Sequence, residues 1–173
     1  ASYTPPATAA GTTYYRVQIS ASGNGCGSAT SSSVAVIIVA DPSISVHPVG
    51  FNQCVGGSLS MSVTASGGAP SLTYQWQSSP NGSAWSNVSG ATSTSYVPPS
   101  TTAGTLFYRA VVSASGNGCA SVNSNPATVV TVADPTISTQ PVGFSECIGG
   151  TQSLSVVATG GTPSLTYQWQ SSP

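Results

Sequence analysis

The octapeptide Thr73-Tyr74-Gln75-Trp76-Gln77-Ser78-Ser79-Pro80 occurs twice, returning unchanged at Thr166 to Pro173 after an offset of 93 residues. The same offset carries Ser20–Cys26 onto Ser113–Cys119, and Ala40-Asp41-Pro42 onto Ala133-Asp134-Pro135. A fixed long period is the signature of a tandem array, and it limits the chain to a fold that can be stacked on copies of itself. Residues 1–39 correspond to 94–132, and 40–80 to 133–173. The sequence therefore reads as the C-terminal half of one repeat (1–39), a complete repeat (40–132) and the N-terminal half of the next (133–173). The boundaries are placed at Val39/Ala40 and Val132/Ala133 because Asp-Pro follows at once, and proline ends a strand's hydrogen-bond ladder.

Inside the octapeptide region Leu72, Tyr74 and Trp76 lie two apart with Gln75 and Gln77 between them, the alternation of a strand with one buried face. Met61, Val63 and Ala65 alternate with Ser and Thr in the same way. Leu106 to Ala114 predicts a long strand with Tyr108, Ala110, Val112 and Ala114 on one face. Ser43–Val46 and Phe51–Cys54 read as two short edge strands broken at Pro48. Short strands are also expected around Trp85 and Val88, at Tyr96-Val97 and at Val129–Val132. Asn117-Gly118 predicts a two-residue hairpin in which both positions take positive φ. No helical periodicity is present. About seven short strands per repeat, with turn residues every 8 to 12 positions, give an all-β, two-sheet β-sandwich in tandem.

Composition narrows the partners. Only 3% of residues are charged and the net charge is −1, with no lysine and two arginines, Arg16 and Arg109. Nucleic acid and anionic lipid need clustered Lys and Arg, so neither is an expected partner. No apolar run approaches the ~20 residues of a membrane span, so membrane insertion is not expected. The cysteines occupy two repeat-equivalent pairs of positions, Cys26 with Cys119 and Cys54 with Cys147. They lack the close Cys/His spacing of a zinc site, which favours disulfides and an extracellular or cell-surface location.

The order of a buried Trp in Tyr74-Gln75-Trp76-Gln77, then Ala103-Gly104, then Tyr108-Arg109-Ala110, resembles immunoglobulin-like domains. There a tyrosine-corner Tyr stands two residues before a core Cys. Ala110 holds that Cys place and Met61 the facing one, so the resemblance implies an apolar core without the antibody-type disulfide. A further resemblance is to the tandem immunoglobulin-like repeats of large secreted surface proteins of Bacteroidetes-type bacteria. These carry a Cys-x-Gly ahead of the second strand, a YQW strand and an Asn-Gly-Cys hairpin, matched here by Cys54-Val55-Gly56, Tyr74–Trp76 and Asn117-Gly118-Cys119. Trp76, Trp169, Tyr15 and Tyr108 are the implied core markers.

In an immunoglobulin-like sandwich the second and sixth strands run the same way, which puts Cys54 beyond one end and Cys119 beyond the other. That separation is on the order of 30 Å, whereas a disulfide needs Cα atoms within about 7 Å. Pairing is therefore expected between successive domains: Cys54 with Cys26 of a following copy, and Cys147 with Cys119 of a following copy.

Catalytic chemistry finds no support. His47, the sole histidine, is replaced by Gln140 in the next repeat, and Glu146 by Gln53 in the previous one. Asp41, Asp134 and Glu146 are the only side-chain carboxylates, and the complete repeat holds Asp41 alone, so it has no acid–base pair and no oxygen cluster for Ca²⁺. The chain is expected to have no enzymatic activity, no cofactor and no metal site. Trp85, Tyr96 and Phe107 are candidates for an aromatic sugar-stacking face, with partly buried packing or contact between copies the favoured reading. Asn81-Gly82-Ser83 and Asn87-Val88-Ser89 fit the N-glycosylation pattern. The expected role is structural: a stalk, adhesin shaft or filament whose partners are further copies head to tail, with surface glycans or other cells as further contacts. A carbohydrate-binding accessory module of a secreted enzyme is the alternative.

Overall fold

A computed structural model describes residues 1–173 and contains strands only. The first segment holds β1 (Gly11–Tyr15), β2 (Gln18–Ser20), β3 (Ser28–Thr30) and β4 (Val34–Ile38). The central unit runs through β5 (Ser43–Val46), β6 (Phe51–Cys54), β7 (Met61–Ser62), β8 (Thr64–Ser66) and β9 (Leu72–Ser79). It continues with β10 (Ser86–Asn87), β11 (Ser95–Tyr96), β12 (Gly104–Ala114), β13 (Val122–Asn123) and β14 (Ala127–Val132). The last segment contributes β15 (Thr136–Thr139) and β16 (Val157–Thr159).

In the central unit one sheet has the order β10-β9-β12-β14-β6, with β13 added on β12. The facing layer pairs β5 with β8 and β7 with β11, and β7 and β8 are successive pieces of one strand interrupted at Val63. Between β5 and β6 the chain changes layers: β5 lies antiparallel to β8, whereas β6 runs parallel to β14. Pro48, which is buried, sits in that break and has no N–H to leave unpaired there. A first strand divided between two sheets, around a tryptophan on the third, makes this an immunoglobulin-like β-sandwich.

The core follows the period-2 pattern. Met61 and Val63 from one layer meet Trp76, Tyr108, Ala110, Ala127 and Val129 from the other, all of them buried. Ala110 and Met61 both lie in this cluster, so apolar volume stands where antibody-type domains have a disulfide. Every residue of the cluster belongs to residues 40–132, which therefore carry a complete core of their own. On the outer face of β9 the amides do the polar work. Gln75 Nε2 donates to the Trp76 and Val88 carbonyls, and Gln77 Nε2 donates to Asn87 Oδ1. Neutral hydrogen-bonding groups thus replace the charges that usually keep such a face wet.

The flanking segments repeat the same register. β1 pairs with β4 from Gly11↔Ile38, as β12 pairs with β14 from Gly104↔Thr131. β15 and β16 reproduce the pairing of β5 and β8, including its bulge. What differs is burial. Trp169 is 49% exposed where Trp76 is 0% exposed, and Tyr15 is half-buried, its ring 5.5 Å from that of Tyr3. Neither Trp169 nor Tyr15 is enclosed as its counterpart in the central unit is, because no complementary strands cover them.

One expected turn is corrected. Asn117-Gly118 does not close a two-residue hairpin: the ladder of β12 and β13 ends at Val112↔Val122, leaving a longer loop. Only Gly118 has positive φ (82°), and Cys119 N–H donates to Gly116 O, as in a type II turn. The loop is opened by long-range bonds that local sequence does not reveal, chiefly Gly116 N–H to Ala69 O at 2.6 Å.

Gly50 marks the tightest approach of β6 to β14, since a Cβ there would collide with the Thr128 backbone. Gly50→Ala must push the two strands apart, and a loss of roughly 1–3 kcal/mol is expected in urea unfolding of the central unit. An unchanged midpoint would show that β6 does not seat on β14 as described.

Candidate functional site

The residues with the most specific long-range bonding, apart from the core, lie where one repeat hands the chain to the next. Ala40 O accepts the Gly68 N–H at 2.7 Å, and Asp41 Oδ1 accepts the Ala120 N–H at 3.0 Å. Gly67, at φ +81°, leaves no room for a Cβ against the Asp41 carbonyl. The entering strand is thus clamped to two loops of the unit it enters. The first of these bonds recurs at the next junction, where Gly161 N–H donates to Ala133 O at 2.8 Å.

At the other end of the central unit the turn after β6 is tied to the strand that leaves. Val55 N–H donates to Val132 O and Gly56 N–H to Ser100 O, while Ser100 Oγ donates to Gly57 O at 2.6 Å. Gln53 is buried there, its Oε1 accepting the Leu59 N–H. Glu146 does the same for Gln152 in the last segment, so the Gln/Glu difference preserves one acceptor.

The four cysteines are free thiols in this structure. Cys54 is paired with Val132 at the exit end of the central unit. Cys119 lies at the entry end, its Sγ 3.9 Å from the Ala69 carbonyl. β12, eleven residues long, spans the distance between the two ends. Cys26 and Cys147 are exposed in the flanking segments.

The three aromatic candidates do not share one face. Tyr96 points into the sandwich, 5.8 Å from the Trp76 ring and 5.6 Å from the Tyr108 ring. It is needed there to close the core over Trp76. Trp85 and Phe107 lie outside the core, both half-buried. The Arg109 guanidinium sits 4.4 Å over the Trp85 ring, held by its Nε donating to Gln77 Oε1 at 2.8 Å. The guanidinium thus covers one face of the Trp85 ring.

The remaining polar candidates have local structural work. His47 Nδ1 accepts the Asn125 N–H at 3.1 Å. Asn81 Oδ1 accepts the Ser83 and Ala84 N–H groups and so builds the turn after β9. Asn87 is engaged by Gln77. No three His, Cys, Asp or Glu side chains converge to hold a metal ion.

Burial acts on two phenols. It raises the pKa of Tyr96. It pushes Tyr108 up to about 12, with the neighbouring Tyr96 adding a smaller charge effect in the same direction. Sequence reasoning placed Tyr108 in the core, but the inward turn of Tyr96 carries no periodic signal in so short a strand.

Among solved structures the chain is similar to Sidekick-1 immunoglobulin domains 1–5, at 18% identity and a TM-score of 0.47 over 90% of this chain and 34% of that one. It is also similar to Drosophila OTK extracellular domains 3–5, at 18% identity and a TM-score of 0.40 over 84% of this chain and 48% of that one. The chain thus spans about a third of the first and about half of the second. No curated protein matches it significantly. A family model described as "Domain of unknown function (DUF8696)" matches residues 51–134, from the start of β6 to Asp134 at the downstream junction.

Proposed function

We propose that the chain is a structural segment of an extracellular tandem array of immunoglobulin-like units, a stalk, adhesin shaft or filament like those of large secreted surface proteins of Bacteroidetes-type bacteria. The observation that carries this reading is the repeated clamp on the entering strand, Gly68 to Ala40 and Gly161 to Ala133. Those bonds leave no slack residues between units, and Pro42 and Pro135 restrict the aspartates before them. A junction of that kind favours a stiff, nearly coaxial stack. Further copies head to tail are the natural partners. The Tyr15, Val17 and Ile19 side and the Leu154, Val156 and Trp169 side are the repeat counterparts of the central unit's inward face and belong to complementary halves of one sandwich.

The test is electron microscopy of an array built from several copies of residues 40–132. An axial advance of roughly 35 to 45 Å per unit is expected from strands of about 8 residues at ~3.3 Å each plus end loops. Sharply bent or variable junctions would reject the spacer reading. So would saturable polysaccharide binding abolished by Trp85→Ala, which would favour a carbohydrate-binding module.

A further inference from the structure

We infer that the cysteines pair across the junctions between consecutive units, the Cys54 position of each unit bonding to the Cys119 position of the unit that follows. This rests on the tandem array proposed above, and the clefts at both junctions of the central unit carry it.

At the downstream junction Cys54 and Thr162 line one cleft of about 470 Å³. Thr162 is the repeat counterpart of Ala69, whose carbonyl lies 3.9 Å from Cys119 Sγ. The tip cysteine of the following unit therefore rests on the Thr162 carbonyl, in the cleft that Cys54 faces. At the upstream junction Cys119 lines a cleft of about 480 Å³ with Ala7 and Val39. The counterparts of those two residues are Ser100 and Val132, whose carbonyls hold the turn after Cys54 through Gly56 N–H and Val55 N–H. The Cys54 counterpart of the preceding unit therefore falls at the cleft that Cys119 lines. Both clefts are halves of one junction, and each half brings the same two cysteine positions together.

Within one unit the same bond is geometrically closed off. Cys54 sits at the Gly104 end of β12 and Cys119 beyond its Ala114 end, on the order of 30 Å apart, against the ~7 Å that a disulfide tolerates between Cα atoms. In two copies of the 173-residue chain joined head to tail, the rule pairs Cys54 with Cys26, and Cys147 with Cys119, of the following copy. The bond forms by thiol–disulfide exchange with an external small-molecule disulfide, such as oxidised glutathione. Two S–H bonds are lost and one Sγ–Sγ bond forms, while the external disulfide takes up the two electrons and two protons as two thiols. The oxidising conditions outside the cytoplasm supply that oxidant.

The test uses two copies of residues 40–132 joined directly, folded with oxidised and reduced glutathione. One version carries Cys119→Ser in its first unit and Cys54→Ser in its second, leaving only the cross-junction pair. The converse version carries Cys54→Ser in its first unit and Cys119→Ser in its second, leaving only the pair at the two far ends. Non-reducing peptide mass spectrometry is expected to find the first version fully linked within the molecule, and the converse version and a single unit with both thiols free. Free thiols in the first version, or a Cys54–Cys119 link in the single unit, would overturn the inference. X-ray scattering of the reduced first version separates the two levels: an extended, fixed shape without a link leaves the array standing and removes the staple, whereas a bent or variable shape removes the array.

Discussion

Replacing Trp76 by alanine is expected to destabilise the central unit by about 3–5 kcal/mol, a large share of the ~5–15 kcal/mol that holds a domain of this kind together. The indole is fully buried among Met61, Val63 and Ala110, stacks on Tyr96 at an interplanar angle of 29°, and donates its Nε1–H to Ser93 O at 2.8 Å. Truncation opens a cavity between two sheets that cannot collapse onto each other without breaking their ladders, and it strips Ser93 of its partner. Trp169→Ala, at the same position of the repeat, is expected to change the stability of the monomeric chain by no more than about 1 kcal/mol, because its ring is half in solvent already. Urea unfolding of both variants, followed by circular dichroism, makes the comparison. Similar losses at the two positions would mean that the last segment is enclosed in solution.

That contrast also shows what the sequence could reveal. Trp76 and Trp169 sit in identical octapeptides, so periodicity assigns both to the buried face. Enclosure depends on β12 and β14, which lie far along the chain, and no local pattern reports whether they are there. The break of the first strand at Pro48 was legible because proline acts locally. The parallel seat of β6 on β14 was not, since it depends on Gly50 meeting Thr128 across some eighty residues. The junction was half legible. Asp-Pro marked its place, but the bonds from Gly68 and Ala120 that turn a linker into a clamp join residues about 30 and 80 positions apart. The direction of Tyr96 was open for a related reason: with only Ser95 and Tyr96 in the strand, alternation cannot say which way either points.

Alkaline pH is expected to weaken the central unit, and the direction follows from the two buried phenols. A tyrosine is neutral until it loses its proton, so burial disfavours the charged form and raises the folded-state value, to about 12 for Tyr108 and upward for Tyr96. In the unfolded chain both ionise near the ordinary value of ~10. Below that pH neither state has lost a proton, and the phenols contribute their full stabilisation. As pH rises from ~10 toward ~12 the unfolded chain releases protons that the folded one still holds, so stability falls over that window and the contribution is gone above it. Tyr108→Phe keeps the ring in the core and removes the larger of the two shifts, so its stability should decline less steeply across the window than that of the parent unit. The measurement is the urea midpoint of both proteins at a series of pH values, with tyrosinate absorbance recorded on the folded state. Parallel pH profiles for parent and variant would show that Tyr108 ionises in the folded unit as readily as in the unfolded chain, and would count against the closed packing of Tyr96 and Tyr108 over Trp76.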